Sequence, residues 1–276
     1  MEKKEIKINK DSTLVEELSI LGFSYVHIKK LFKNKDVKVN EFRVKEDCVL
    51  YVGDVITVFY SPEQIQKFEI KTIFEDENLI VIDKPAGIET EGKGGLTEKL
   101  NALAVHRLDR NTTGVMLFAK NLKTKEILDN AIKNRLIVKK YYAEVVGKTE
   151  YKYFTYNAYL LKDSKNSQVK IFDKQVKNAL PISTTFNTIK SSASSSLIEC
   201  TLHTGRTHQI RASLAYLGHA IIGDGKYGKN VDNKRFNAIN QRLHSFSIVL
   251  NGMTDHLSHL NGRRFISYPT WIKTKD

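Results

Sequence analysis

The sequence predicts an α+β protein in which a largely antiparallel mixed sheet follows a small N-terminal α/β domain. Three observations carry this. Apolar or alternating runs of strand length succeed one another from Phe68 onward with only two helical stretches among them, unlike the regular alternation of a βαβ array. Residues 11–60 instead read as two helices followed by two short strands. Between them lies Ser61-Pro62-Glu63-Gln64, with the composition of a linker. The expected division is residues 1–60, a linker over 61–67, and a larger domain over 68–276.

In chain order, Thr13-Leu14-Val15-Glu16 has capping-box spacing, and the helix it opens ends at Gly22. Ser24 suits the cap of a second helix reaching Asn34, with Val26, Ile28, Leu31 and Phe32 turned inward and Lys29, Lys30 and Lys33 left in solvent. Strands follow over 37–39 and 55–58. In the larger domain, strands are expected over 70–74, 79–82, 115–118, 142–146, 197–202 and 246–250. Helical spacing covers 122–136 and 207–217, the latter with Ile210, Leu214 and Leu217 facing the core. The serine-rich 191–196 reads as a flexible hairpin loop, and 163–178, rich in Lys, Ser and Asn, as an exposed basic loop.

Charge narrows the partners. The chain carries a formal +13, which favours a polyanion. Lys and Arg balance Asp and Glu at 11 each over residues 1–66, so the excess belongs entirely to the remainder. The charged N-terminus lacks a signal-peptide core, and no apolar run approaches the roughly 18 residues of a membrane span. No basic amphipathic helix with an aromatic apolar face stands out, so nucleic acid rather than a membrane is the expected partner. Cys48 and Cys200 stand far apart without metal-ligand spacing, which suits a reducing, cytoplasmic setting.

The most informative stretch is His106-Arg107-Leu108-Asp109-Arg110, followed by Asn111-Thr112-Thr113-Gly114 and the apolar Val115 to Phe118. A carboxylate with a cation on either side keeps the charge and lone pair that a nucleophile needs. Alone, such a run more often marks a structural ion pair. The apolar run directly after it places the motif at the entrance to a buried strand, with Thr112, Thr113 and Gly114 suited to the turn between.

A second constellation is His203-Thr204-Gly205-Arg206-Thr207-His208-Gln209-Ile210-Arg211. Gly205 permits a sharp strand-to-helix entry and Thr207 is the expected cap, which puts His208 and Arg211 in the first helical turn. A cation there opposes the helix dipole at about 0.3–1 kcal/mol, so Arg211 calls for a nearby anion. Asp109 is the candidate. The histidines 106, 203 and 208 lack cysteine or carboxylate partners at ligand spacing, so no metal site is expected. There is no phosphate-binding glycine loop and no nucleophile elbow.

Two resemblances follow from these residues. The lysine-bearing helix pair beside a small sheet resembles the αL RNA-binding domain of a small-subunit ribosomal protein and of tyrosyl-tRNA synthetases, although Tyr25 and Glu41 depart from its usual residues. The segments Leu79 through Gly87, His106 through Lys120, Lys139-Lys140-Tyr141 and Thr204 through Gly223-Asp224, with Tyr227-Gly228, together resemble the RluA family of RNA pseudouridine synthases.

That resemblance implies a pseudouridine synthase fold and a uridine isomerase acting on RNA, with ribosomal RNA of the large subunit foremost and tRNA the alternative. It implies Asp109 as the catalytic aspartate, Arg211 as its ion-pair partner and Tyr141 as the aromatic that stacks on uracil. Arg107 matches the residue that fills the space of the flipped nucleotide, and His106, Arg206, His208 and Gln209 fall among substrate-binding positions. Lys29, Lys30 and Lys33 are the RNA-contacting candidates of the first domain. The isomerisation requires neither metal nor organic cofactor, and a monomer is expected. The rival reading is an RNA-binding assembly factor without turnover.

Overall fold

The capping box forms at Thr13, whose Oγ1 accepts from the Glu16 N–H at 3.3 Å while Glu16 Oε2 accepts from the Thr13 N–H at 3.0 Å. The computed structural model describes residues 1–23, 25–65, 68–163 and 168–272. Contacts divide the chain into Met1–Glu69 with Glu91–Glu98, and Ile70–Thr90 with Lys99–Asp276.

The first unit runs β1 (Glu2–Lys7), β2 (Ser12–Thr13), α1 (Leu14–Ile20), α2 (Tyr25–Asn34), β3 (Val37–Val39), β4 (Phe42–Arg43), β5 (Val49–Leu50) and β6 (Val55–Tyr60). Its four-stranded sheet has the order β1-β6-β3-β4, and β2 pairs with β5. Leu14, Leu18, Phe23, Ile28, Leu31, Val37, Ile56 and Val58 form one apolar cluster between helices and sheet. Ser24, the expected cap of α2, lies outside the described residues. Val26 is exposed rather than buried, because Ile28, Leu31 and Phe32 already complete the inward stripe. The expected linker begins with a short 3-10 turn at Pro62–Gln64, and Ile65 bridges to Phe23 within this unit. Gln66 and Lys67 lie outside the described residues.

The second unit continues with β7 (Lys71–Glu75), β8 (Leu79–Lys84), α3 (Leu96–Leu100), β9 (Leu103–Ala104), β10 (Thr113–Ala119), α4 (Leu122–Lys133) and β11 (Val138–Val146). It then runs through β12 (Phe154–Asp163), β13 (Gln168–Phe172), β14 (Leu180–Ser191), β15 (Ser195–Leu202), α5 (Gln209–Tyr216), α6 (Asn230–Arg235), β16 (Leu243–Val249) and β17 (Arg264–Ile266). Part of α3 falls in the first unit. The sheet order is β13-β12-β14-β15-β11-β16-β10-β8-β7, with β17 on β16 and β9 on β10. Among the described strands every pairing in it is antiparallel except β10 with β16, so the fold is α+β with a largely antiparallel mixed sheet.

The single parallel contact explains Gly114. Expected in a turn, it is the second residue of β10, and it takes a φ of +107° where it meets Ser245 of β16. A Cβ there would stand 2.3 Å from the Ser245 carbonyl oxygen, so only glycine lets the two strands approach. The turn itself lies earlier, closed by the Thr112 N–H donating to the Asp109 carbonyl at 2.9 Å. Leu79, Val81, Val115 and Leu117 then pack with Leu128, Ala131, Ile248 and Leu250 in one core.

Residues 163–178 are not wholly a loop. Val169 and Ile171 alternate inward on β13, the edge strand paired with β12, while 164–167 lie outside the described residues. The serine run narrows to a turn at 192–194 between β14 and β15, and Ser191 and Ser196 hydrogen-bond across its base at 2.8 Å. Among the described residues no helix is long and apolar enough to cross a membrane.

Candidate active site

Asp109 sits in a turn held from beneath by a buried lysine. Lys84, the last residue of β8, is fully buried, and its ammonium donates to the carbonyls of Pro85 (3.1 Å), Arg110 (2.9 Å), Thr112 (3.0 Å) and, more distantly, Asp109 (3.3 Å). Burial pulls its pKa down to about 7, against the opposing charges of Glu89 and Asp109. The turn is fixed from two further directions: Gln241 Nε2 donates to Thr112 Oγ1 at 2.6 Å, and Thr90 Oγ1 donates to the Leu108 carbonyl at 3.1 Å. Arg110 faces away from Asp109, its Nε donating to the Gly87 carbonyl at 3.0 Å.

The side chain of Asp109 is held by a distant cation. Arg211 Nη1 donates to Asp109 Oδ2 at 2.7 Å across 102 residues of sequence. Arg211 is itself gripped by Asp224, Nε donating to Oδ2 at 2.7 Å and Nη2 to Oδ1 at 2.9 Å. Burial works against the Arg211 charge, but Asp224 and then Asp109 more than reverse this and raise its pKa above the ordinary arginine value. Burial also opposes ionisation of Asp224, yet Arg211 and the N–H groups of Lys226 and Tyr227 hold it below the usual carboxylate range. Two carboxylates thus offset the cost of a cation in the first turn of α5. Asp109 Oδ1 is left without a hydrogen bond among the described residues.

Thr207 does not cap α5. The cap position is taken by His208, in the left-handed region at φ +53° and without a side-chain capping bond. Its ring meets the hydroxyl of Tyr227. The Tyr227 hydroxyl accepts from the Val169 N–H at 2.9 Å and lies 2.9 Å from His208 Nδ1; with this hydroxyl as the donor, its proton goes to that nitrogen. The ring proton then sits on Nε2, 3.9 Å from Asp109 Oδ2. Burial brings the His208 pKa down to about 4, with Asp109 opposing and Arg211 adding to the depression. The imidazole is therefore neutral at neutral pH and presents an N–H, not a positive charge, toward the carboxylate.

Asp109, His208 and Arg211 line a cavity of about 1060 Å³ together with Arg107, Tyr141, His106 and Arg206. Tyr141 is buried in β11, and its phenol pKa is pushed up by burial and by the neighbouring Asp109. Arg107 and Arg206 are exposed at the cavity. His106 Nε2 accepts from the Leu117 N–H at 3.1 Å, its Nδ1 is buried without a partner, and burial with the Lys139 charge brings its pKa down to about 3. Gln209 is consumed in shaping the 204–206 turn: its Oε1 accepts from Thr204 Oγ1 and the Arg206 N–H, and its Nε2 donates to Ser183 O and Thr184 Oγ1. Lys29, Lys30 and Lys33 are exposed on α2 in the other unit, Lys29 lying 4.7 Å over the Tyr25 ring. Among the described residues no three His, Cys, Asp or Glu side chains cluster to hold a metal.

Lys84 and Asp224 lie within the segments that carry the family resemblance, but sequence reading assigned neither of them a role. The signal was present in each: a lysine ending the apolar run Leu79 to Ile82, and an aspartate directly after the apolar Ile221-Ile222-Gly223. Charged residues at such positions are buried only when paired.

A carboxylate fixed by an arginine in a cation-lined cavity is the equipment for chemistry at a sugar carbon of an anionic substrate. A model of the RNA pseudouridylate synthase family matches residues 78–216, and the chain belongs to that family. Among its relatives, ribosomal large subunit pseudouridine synthase C of Vibrio cholerae is 31% identical over 83% of this chain and 78% of that protein. The same-named protein of Haemophilus influenzae is 31% identical over 86% of this chain and 82% of its own length. The mitochondrial tRNA pseudouridine(32) synthase of Saccharomyces cerevisiae is 34% identical over 74% of this chain but 47% of that protein. The solved structure of human RNA pseudouridylate synthase domain containing 4 shares the fold, with a TM-score of 0.60 at 22% identity over 72% of this chain and 89% of that one.

Proposed function

We propose that this enzyme isomerises uridine to pseudouridine within structured RNA, with large-subunit ribosomal RNA as its substrate. The observation that carries the reading is the Asp109 carboxylate, fixed through Oδ2 by Arg211 and free at Oδ1, beside Tyr141 in a cavity rimmed by cations. In the reaction the bond from uracil N1 to C1′ breaks, the base turns, a bond forms from C5 to C1′, and the C5 proton is lost while N1 gains one. No atom is lost and no electron is transferred, so the proposal includes neither metal nor organic cofactor.

In this scheme the free Oδ1 of Asp109 acts at the sugar, where departure of the base leaves an electron-poor centre. Arg211 fixes the carboxylate, and the neutral Nε2–H of His208 is a donor for the substrate or for Asp109. The Tyr141 ring supports the flipped base, and Arg107 takes the vacated place in the RNA. Extruding a base costs on the order of a few kcal/mol, which contacts of the cation rim with phosphates offset. Lys29, Lys30 and Lys33 add RNA contacts from the first unit. The enzyme works as a monomer in the cytoplasm. A tRNA substrate is the second reading, supported by the yeast relative.

The test is incubation of the purified protein with undermodified ribosomal RNA and with tRNA transcripts, followed by nuclease digestion and mass spectrometry of the nucleosides. Pseudouridine formed without change of mass, and lost in Asp109→Asn, is the expected result. Free uracil would make the protein a glycosylase, and binding without conversion of any RNA would make it a non-catalytic RNA-binding protein.

A further inference from the structure

Of the cations that line the cavity without an anion partner among the described residues, Lys139 is the one that is not exposed. Lys139 stands two residues before Tyr141 on β11, so both side chains leave the sheet on the same face, and both line the cavity. Lys139 is partly buried, yet among the described residues it has neither a hydrogen bond nor an ion pair. Burial alone lowers its pKa, with no neighbouring carboxylate countering the effect.

The comparison with its neighbours is informative. Lys140, which points to the other face, pairs with Glu199 at 2.9 Å. Lys84 is buried more deeply but has carbonyl oxygens around its ammonium. Lys139 bears a desolvation cost that nothing in the protein offsets, which is the condition of a group whose partner arrives with a ligand.

The surroundings specify what that partner is. The Lys139 ammonium lies 3.7 Å from the point where a Cβ on Gly205 would stand, so a side chain there would cover it and glycine leaves it open. The next residue, Arg206, is exposed at the same cavity with no ion pair among the described residues. Two cations beside a bare stretch of main chain make a recess for a compact anion with several acceptor oxygens.

We propose that Lys139 and Arg206 form a phosphate subsite that takes the phosphodiester next to the uridine being isomerised. The assignment of that phosphate to RNA rests on the function proposed above. The subsite fixes the backbone beside the target, so that extrusion of the base directs the sugar toward Asp109 and not away from it.

The experiment measures binding of a fluorescein-labelled oligouridylate to the full-length protein across a range of KCl concentrations. Lys139→Gln is expected to weaken binding several-fold and to reduce the slope of log affinity against log salt by about 0.7, the share of one phosphate on a single strand. Lys139→Arg restores the slope, while Lys140→Gln leaves it near the wild-type value. Replacing single phosphates by uncharged methylphosphonate should weaken wild-type binding at one linkage, with no further loss there in Lys139→Gln. Circular dichroism of each variant separates these effects from unfolding.

An unchanged slope, or independent penalties from the methylphosphonate and the Lys139 substitution, overturns the subsite. Equal competition by inorganic phosphate and by RNA at matched ionic strength overturns the backbone assignment in favour of a small phosphorylated ligand. The function is read separately, by pseudouridine formation in the wild type. Conversion without the coupling removes the subsite alone, and coupling without conversion of any RNA removes the proposed function alone.

Discussion

Asp224→Asn isolates what the second carboxylate contributes to the candidate site. Asp224 is fully buried and engages Arg211 through both oxygens, at 2.7 and 2.9 Å, while its Oδ1 also accepts from the Lys226 N–H at 2.8 Å and the Tyr227 N–H at 3.1 Å. An asparagine has one acceptor oxygen for these four donors. If that oxygen stays with Lys226 and Tyr227 it keeps Arg211 Nη2 as well, but the amide NH2 then faces Arg211 Nε, donor against donor. If it turns to Arg211, two main-chain N–H groups lose their acceptor.

Either arrangement leaves a buried guanidinium with Asp109 as its one anion. Breaking a buried pair from one side costs about 3–5 kcal/mol, a large part of the roughly 5–15 kcal/mol by which a domain is stable. The variant should therefore stay folded in the cold but unfold at markedly lower urea concentration. Arg211, released from Asp224, no longer fixes the Asp109 carboxylate, and each 1.36 kcal/mol of lost positioning is about tenfold in rate. Turnover should fall about tenfold or more. The assay is urea unfolding followed by circular dichroism, paired with single-turnover pseudouridine formation at a temperature where the variant is folded. A destabilisation under about 1 kcal/mol with turnover within twofold of wild type would refute the reasoning, since Arg211 would then be fixed by Asp109 alone.

Lys84→Met keeps volume but removes the donor from Pro85 O and Thr112 O, and at about 1–3 kcal/mol per unsatisfied group it should cost about 2–5 kcal/mol in urea unfolding and disorder the Asp109 turn. Tyr227→Phe frees the His208 tautomer, so turnover should drop about three- to tenfold while nitrogen NMR shows the ring proton shared between Nε2 and Nδ1. His208, near 4, and His106, near 3, are both depressed below the free value of 6.5, so the unfolded chain takes up their protons first and stability is lost as pH falls below 6.5. At about pH 5.5 each should have cost about 1.4 kcal/mol, so the drop from neutral pH should shrink by that amount in His208→Asn, a residue that tolerates φ > 0 and does not titrate. An unchanged acid profile in this variant would place the titration elsewhere.

What was legible in the sequence depended on how local its cause is. The capping box of α1, the inward stripe of α2, the apolar run of β10 and the spacing of α4 are properties of consecutive residues, and each forms within a few positions of where the pattern puts it. Strands whose stability comes from neighbours were not legible. β1 is almost entirely charged and exists because β6 offers its edge, and β13 lies in a stretch rich in Lys, Ser and Asn. β14 carries Pro181 and three threonines and serines among its first six residues, yet Ile182, Thr184 and Phe186 alternate into the interior between β12 and β15. The left-handed His208 was invisible for the same reason, since the Tyr227 hydroxyl that engages its ring stands 19 residues away.

In the site, the Asp109 and Arg211 contact was reachable from a dipole argument, whereas Lys84 and Asp224 were not, because their roles depend on burial that appears only once the strands close. Their placement divides the charges of the site into two sets. Asp224, Arg211 and Asp109 form a chain of ion pairs in which Arg211 is held from both sides, and Lys84 is occupied by main-chain oxygens. Each of these charges is paired within the protein, so together they fix the position of Asp109 with little field left over for a ligand. Arg107, Lys133, Arg135, Lys139 and Arg206 line the same cavity and have no carboxylate partner among the described residues. The dry paired set meets the demand of chemistry for a carboxylate that does not move. The open set suits the different demand of binding a polyanion, and within the site solvent salt acts mainly on its exposed members, Arg107, Lys133, Arg135 and Arg206. Had Arg107 or Arg110 paired with Asp109, as their adjacency in sequence suggests, the same arginine would have had to serve both demands. A contact across 102 residues removes that conflict and leaves Arg107 without a carboxylate partner among the described residues.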